Sequence, residues 1–142
     1  MGRRQKLLLV EPEKMVAAGM SMFLTELGYE VCGIARNAAE GLRLTKLHHP
    51  ILALVDMQLE PACDGLGMAR ELDRRHGVPS VLITDRLDPR LTCNTFVVTL
   101  LSKPFAPEHL TQAVEAGLDW LRYETMADRK GPGRPIPWRR RH

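Results

Sequence analysis

The sequence predicts an α/β fold in which helices cover both faces of one parallel β-sheet. Three observations lead to this class. Short apolar runs alternate with longer amphipathic segments between residues 6 and 124. Five such runs separated by crossover segments are typical of a parallel sheet buried on both sides. The length of 142 residues allows one domain with a substantial core.

Each element has a local signal in the sequence. Strands are predicted at residues 6–10, 30–34, 51–55, 80–83 and 95–101, and helices at residues 13–27, 37–48, 64–76 and 107–124. Gly28 and Gly77 are typical helix stops. Asn37 followed by Glu40 resembles a capping box, and Pro107 suits a first helical position.

Right-handed crossovers leave few topologies for these elements. At this length the best fit is a flavodoxin-like (βα)5 three-layer sandwich with strand order 2-1-3-4-5. The fourth crossover, residues 85–95, has eleven residues, close to the minimum for a strand–helix–strand unit. Because Pro89 limits it further, helix 4 is expected to be short or missing.

The charge is unevenly distributed, although the net value is only +3. Residues 125–142 contain six Lys or Arg and one Asp, a balance of +5, which leaves about −2 for residues 1–124. We therefore predict a folded domain of residues 1–124 followed by a basic, Pro/Gly/Arg-rich flexible tail of residues 125–142. The tail is either solvated or in contact with nucleic acid or an acidic partner.

Two further features bear on the cellular environment. The three cysteines are odd in number and scattered, so we expect reduced thiols in a cytoplasmic protein. No apolar run approaches the length needed to span a bilayer, so no membrane contact is expected.

Polar side chains follow four of the predicted strands. Glu11, Asp56 and Thr84 come directly after strands one, three and four, and Lys103 follows strand five. The carboxyl ends of parallel strands meet at one edge of the sheet, so these groups can share a pocket. A buried carboxylate is costly unless it is paired, and Lys103 is the obvious partner of Asp56. Pro12 stands where a second acid would be expected after strand one.

This pattern resembles the receiver (CheY-like) domains of bacterial two-component response regulators, and the resemblance covers residues 5–124. The matching positions occur in the expected order: Val10-Glu11, Asp56, Asp64-Gly65, Thr84 and Lys103-Pro104. We expect a stand-alone receiver, because no output domain follows in this sequence.

The resemblance implies a role for each residue of the pocket. Asp56 would be the phosphoacceptor for a sensor histidine kinase or phosphotransfer protein. Thr84 would bind a phosphoryl oxygen, and Lys103 would pair with Asp56 at rest and with phosphate afterwards. Mg²⁺ would be bound by Glu11, Asp56 and the backbone carbonyl of Gln58. The Lys103-Pro104 bond would be cis.

Four departures from the family pattern bear on these roles. Pro12 removes a metal-binding acid, so Mg²⁺ binding is expected to be weak unless Glu13 substitutes. Asp85 places a carboxylate where receivers usually have a small residue. Leu100 stands in place of the aromatic residue that many receivers rotate on activation. The short fourth crossover alters a surface through which many receivers signal.

Three functional hypotheses remain open. The first is a single-domain response regulator that signals through protein contacts. The second is a pseudo-receiver, a binding module without Mg²⁺-dependent phosphorylation, and the third is a receiver-type dimer whose tail binds nucleic acid. Trp120 and Tyr123 on the last helix are either a partly exposed aromatic pair or a homodimer contact. An enzyme is not expected, because neither a Gly-rich phosphate loop nor a supported nucleophile–base pair is present.

Overall fold

The computed structural model describes residues 4–59, 65–86, 88, 91 and 96–128, the last four without their side chains. Five strands are present: β1 (Lys6–Val10), β2 (Glu30–Ala35), β3 (Leu52–Asp56), β4 (Ser80–Thr84) and β5 (Val97–Ser102). The helices are α1 (Lys14–Glu26), α2 (Ala38–His48), α3 (Gly65–His76) and α4 (Pro107–Asp128). The strands form one parallel sheet in the order β2-β1-β3-β4-β5, which confirms the predicted topology.

The helix ends follow the predicted signals, with one variation. The Asn37 side chain accepts a hydrogen bond from the Glu40 backbone N–H at 2.9 Å, as in a capping box. The Glu40 carboxylate instead accepts from the Arg36 N–H, one residue before the usual partner. Gly28 and Gly77 adopt positive φ angles of 99° and 66° after α1 and α3, where residues with a Cβ are disfavoured.

The sheet separates two apolar clusters, because alternate residues of each strand point to opposite faces. Leu7 and Leu9 of β1 pack with residues of α1 and α4. Leu8 and Val10 pack on the other face, with residues of α2 and α3. The result is the predicted three-layer arrangement. The helices cover the two faces of the sheet, and the carboxyl ends of its strands lie between them at one edge.

The crossover between β4 and β5 is only partly described. Of its residues, 85, 86, 88, 91 and 96 are described, and none of these lies in an α-helix. The Leu91 N–H donates to the Asp88 carbonyl oxygen at 2.9 Å, a single turn of 3₁₀ geometry. The other residues of the segment in which helix 4 was expected to be short or missing lie outside the described residues.

The prediction of a partly exposed aromatic pair on the last helix is wrong for Trp120. This side chain is only 8% exposed, whereas Tyr123 is half-buried. Ala113, Gly117 and Trp120 are spaced four and three residues apart, and all three are buried. The buried face of α4 therefore includes Ala113 and Trp120 in addition to the residues that helical spacing predicts to face inward, Leu110, Val114, Gly117 and Leu121. A homodimer contact through Tyr123 stays an untested prediction. The helix also extends to Asp128, four residues beyond its predicted end.

The remaining predictions are only partly tested. Cys32 is a free, half-buried thiol, and burial raises its pKa. Cys63, Cys93 and Asp64 lie outside the described residues. Within the described part of the chain, none of the helices is long and apolar enough to cross a membrane.

Candidate functional site

The strand ends bring the predicted polar residues to one edge of the sheet. Parallel register places Val10 beside Val55, and Asp56 beside Ile83. The residue after β1 is Glu11, which is only 1% exposed, and the last residue of β3 is Asp56, which is 4% exposed. Two carboxylates are therefore buried next to each other at this edge.

Lys103 joins these two acids. It follows the last residue of β5, and its backbone N–H donates to the Thr84 carbonyl oxygen at 2.8 Å. Its Nζ donates to Asp56 Oδ2 at 2.5 Å and lies 3.3 Å from Glu11 Oε1. The Lys103–Pro104 peptide bond is cis, as the resemblance implied. One ammonium group therefore offsets two buried carboxylates.

The second oxygen of each carboxylate is bound by the backbone in the same way. Asp56 Oδ1 accepts a hydrogen bond from the Gln58 N–H at 2.7 Å, and Glu11 Oε2 accepts from the Glu13 N–H at 3.1 Å. In both cases the donor is two residues further along the chain. These bonds fix both carboxylates with one oxygen turned towards Lys103. The Glu13 side chain itself is exposed and makes no capping bond to α1.

Burial controls the protonation of this cluster. Burial first, and the adjacent Asp56 carboxyl second, raise the pKa of Glu11 from 4.5 to about 7. For Lys103, burial opposes the charged form. The hydrogen bond with Asp56 and the attraction of both acids outweigh burial, so the pKa of Lys103 is raised. Near neutral pH the three groups are therefore close to charge balance.

Thr84 lies at the same edge, but its hydroxyl is occupied locally. The Oγ1–H donates to the Arg86 carbonyl oxygen at 2.9 Å, and Oγ1 accepts from the Arg86 N–H at 3.0 Å. A phosphoryl oxygen that accepts a hydrogen bond from the Thr84 hydroxyl would have to displace the Arg86 carbonyl oxygen. Asp85, the next residue, is exposed, and Leu100 of β5 packs in the cluster on the α2 and α3 face.

The oxygen donors present fit a hard divalent cation such as Mg²⁺. Glu11 Oε1 is fully buried and has no aligned hydrogen bond, so it has a lone pair available for a metal. Asp56 offers a second carboxylate, and Gln58 is the nearby source of a backbone carbonyl. Among the described residues, no group of three or more His, Cys, Asp or Glu side chains could hold a metal. From the described residues, an ion would be held by the two carboxylates and the Gln58 carbonyl, with water as further ligands.

A groove beside α1 was not recognised from the sequence. It has a volume of about 860 Å³ and is lined by Met15, Met22 and Phe23, among others. Of the methionines in α1, Met20 lies in the core, whereas Met15 and Met22 are exposed. The spacing of Met15, Gly19 and Met22 on one outward face could have indicated this surface.

Comparison with known proteins gives one consistent result. A family model described as the response regulator receiver domain matches residues 7–115. The transcriptional regulatory protein PdtaR of Mycobacterium tuberculosis is 28% identical over 127 residues, which cover 87% of this chain and 62% of PdtaR. The chain thus spans less than two thirds of that relative.

Solved structures agree in fold. The response regulator PhyR from Brucella abortus superposes with a TM-score of 0.79 at 27% identity, covering 89% of this chain and 52% of PhyR. The signal receiver domain of a modulated diguanylate cyclase from Desulfovibrio desulfuricans G20 has a TM-score of 0.73 at 29% identity. That match covers 82% of this chain and 95% of the other.

Proposed function

Because this chain belongs to the response regulator receiver domain family, we propose that it accepts a phosphoryl group on Asp56 and signals through protein contacts. One observation carries the proposal. Asp56 is a buried carboxylate at a strand end, and it is held between the Lys103 ammonium and the Gln58 amide. Open α/β sheets bind their ligands at the carboxyl ends of their strands, which is where this carboxylate lies.

The phosphodonor in this proposal is a phosphohistidine on a sensor kinase or phosphotransfer protein in the cytoplasm. A carboxylate oxygen of Asp56 attacks phosphorus and forms an acyl phosphate. The phosphorus–nitrogen bond breaks, and its electron pair stays on the imidazole, which takes up a proton. Lys103 moves from Asp56 to a phosphoryl oxygen, where its charge stabilises the transferred group. The Thr84 hydroxyl binds a second phosphoryl oxygen after it leaves the Arg86 carbonyl.

Receiver domains generally bind Mg²⁺ at the phosphorylation site. In this chain Glu11, Asp56 and the Gln58 carbonyl would hold the ion, which supplies positive charge to offset the phosphoryl oxygens. Pro12 contributes no side-chain oxygen, so the binding is expected to be weaker than with two acids after β1. Because a protonated carboxyl is a poor ligand, the raised pKa of Glu11 makes Mg²⁺ binding stronger as the pH rises through about 7.

Mass spectrometry of the intact protein tests the proposal. After incubation with a small phosphodonor and Mg²⁺, the wild-type chain should gain one phosphoryl mass. Asp56→Asn should remove this gain, whereas Asp119→Asn, at an exposed position on α4, should retain it. An adduct that persists in Asp56→Asn would place the acceptor elsewhere and contradict the proposal.

A second candidate function is a pseudo-receiver that binds a partner without Mg²⁺-dependent phosphorylation. The observation that favours it is the proximity of Lys103 to both acids, together with the missing oxygen at Pro12. In this case the positive charge of Lys103 already balances the acids of the resting pocket without a divalent ion. A wild-type chain that shows neither an adduct nor measurable Mg²⁺ affinity by titration would support this alternative.

A further inference from the structure

The groove beside α1 is an exposed apolar surface next to the Asp56 pocket. One wall is formed by Met15, Gly19 and Met22 of α1, and the other includes Phe105 and Leu110. Met15 is 88% exposed and Met22 66%, values that are high for apolar side chains. Contiguous apolar surface of this kind typically binds a protein segment, and methionine adapts its shape to different partners.

The charges around this groove define what it would bind. Glu26 lines it at the C-terminal end of α1, and Glu13 and Asp85 line it at the opposite end. Lys103 is the basic residue among the described groove residues, and it is already paired with Asp56. The groove therefore fits an extended segment with an apolar centre and basic residues on both sides.

We propose that this segment is the C-terminal part of the same chain, residues 129–142. Its sequence has the required order of chemistry: Arg129-Lys130, then Arg134, then Pro135-Ile136-Pro137-Trp138, then Arg139-Arg140-Arg141. The apolar stretch faces the methionines, and the basic groups on either side meet the acidic ends of the groove. Alternating prolines favour an extended backbone, which fits a long groove without losing much conformational entropy on binding.

The reach of the chain allows this arrangement. Between Leu110, in the groove wall, and Asp128, α4 rises about 27 Å. The ten residues from Asp128 to Trp138 span about 31 Å in an extended polyproline conformation. Trp138 can therefore return to the level of the groove, provided that the chain reverses direction directly after Asp128 and all ten residues run back along α4.

Tryptophan fluorescence tests the docking directly, without any phosphorylation. The chain contains two tryptophans, and subtracting the signal of Trp138→Phe isolates Trp138 from the buried Trp120. In the full chain, Trp138 should be shielded from acrylamide quenching. Met22→Glu should lower the docking equilibrium constant about tenfold and expose Trp138, because a charge replaces apolar contact area.

Leu47→Glu is the matched control, because Leu47 on α2 is 62% exposed and does not line the groove. It should leave the quenching of Trp138 unchanged. Equal quenching in the wild type and in Met22→Glu would overturn the proposal. Shielding that disappears on dilution would also overturn it, since the groove would then hold the tail of a second copy. A failure of Asp56 phosphorylation would leave this result untouched.

Discussion

The protonation of Glu11 gives a quantitative prediction about stability. A carboxyl group whose pKa rises from 4.5 to about 7 on folding binds more protons in the native state than in the unfolded state. Its stabilising contribution is present at low pH and is lost as the pH rises through about 7. Between about pH 5 and about pH 8 this loss amounts to about 2–3 kcal/mol.

The substitution Glu11→Gln isolates this contribution, because glutamine keeps the shape of the protonated acid and does not titrate. Urea unfolding at both pH values measures the free energy of unfolding of each variant. The wild type should lose about 2–3 kcal/mol more than Glu11→Gln over this range. Glu108→Gln, an exposed position in the first turn of α4, should behave like the wild type. If the free energy of unfolding changes with pH by the same amount in the wild type and in Glu11→Gln, the reasoning is refuted.

Three other substitutions test the geometry of the site. Pro12→Asp should raise Mg²⁺ affinity about tenfold in calorimetric titration, because it adds a carboxylate ligand, and unchanged affinity would contradict this. Gly65→Ala should cost about 1–3 kcal/mol in urea unfolding, since its Cβ would overlap the Asp56 carbonyl, whereas Gly19→Ala meets open space and should be neutral or stabilising. Lys103→Met should cost about 3–5 kcal/mol at about pH 8, because it leaves two buried carboxylates without a cation; a smaller cost would mean that water reaches them.

The sheet was predictable because its strands carry unambiguous local signals. The segments at β3 and β4 are continuous apolar runs, and both strands are buried along their whole length. The start of α2 was also predictable from the local sequence, because the Asn37 side chain caps it as the sequence indicates. Trp120 was misjudged because helical periodicity gives the direction of a buried face and not its width. The width depends on neighbours that are distant in sequence, such as Leu52 and Leu54 of β3, which lie in the same core cluster as Ala113.

The site was predictable in composition but not in its detailed bonding. Strand ends and topology were enough to bring Glu11, Asp56 and Lys103 together. The sequence did not indicate that the Thr84 hydroxyl would bind the Arg86 backbone, because such turns compete with other partners for the same hydroxyl. Nor did it predict that Glu13 contributes its backbone N–H instead of its carboxylate.

The charge balance of the pocket connects Pro12 with the raised pKa of Glu11. One ammonium, one carboxylate and one half-protonated acid are nearly neutral together, so the resting pocket is stable without a further cation. A third acid at position 12 would add a negative charge that Lys103 alone does not offset. Phosphorylation of Asp56 would replace its single carboxylate charge with nearly two phosphoryl charges, and this gain of about one negative charge calls for positive charge beyond Lys103. A divalent ion supplies it only after Glu11 loses its proton, so proton release, metal binding and phosphoryl transfer are expected to be coupled at this site.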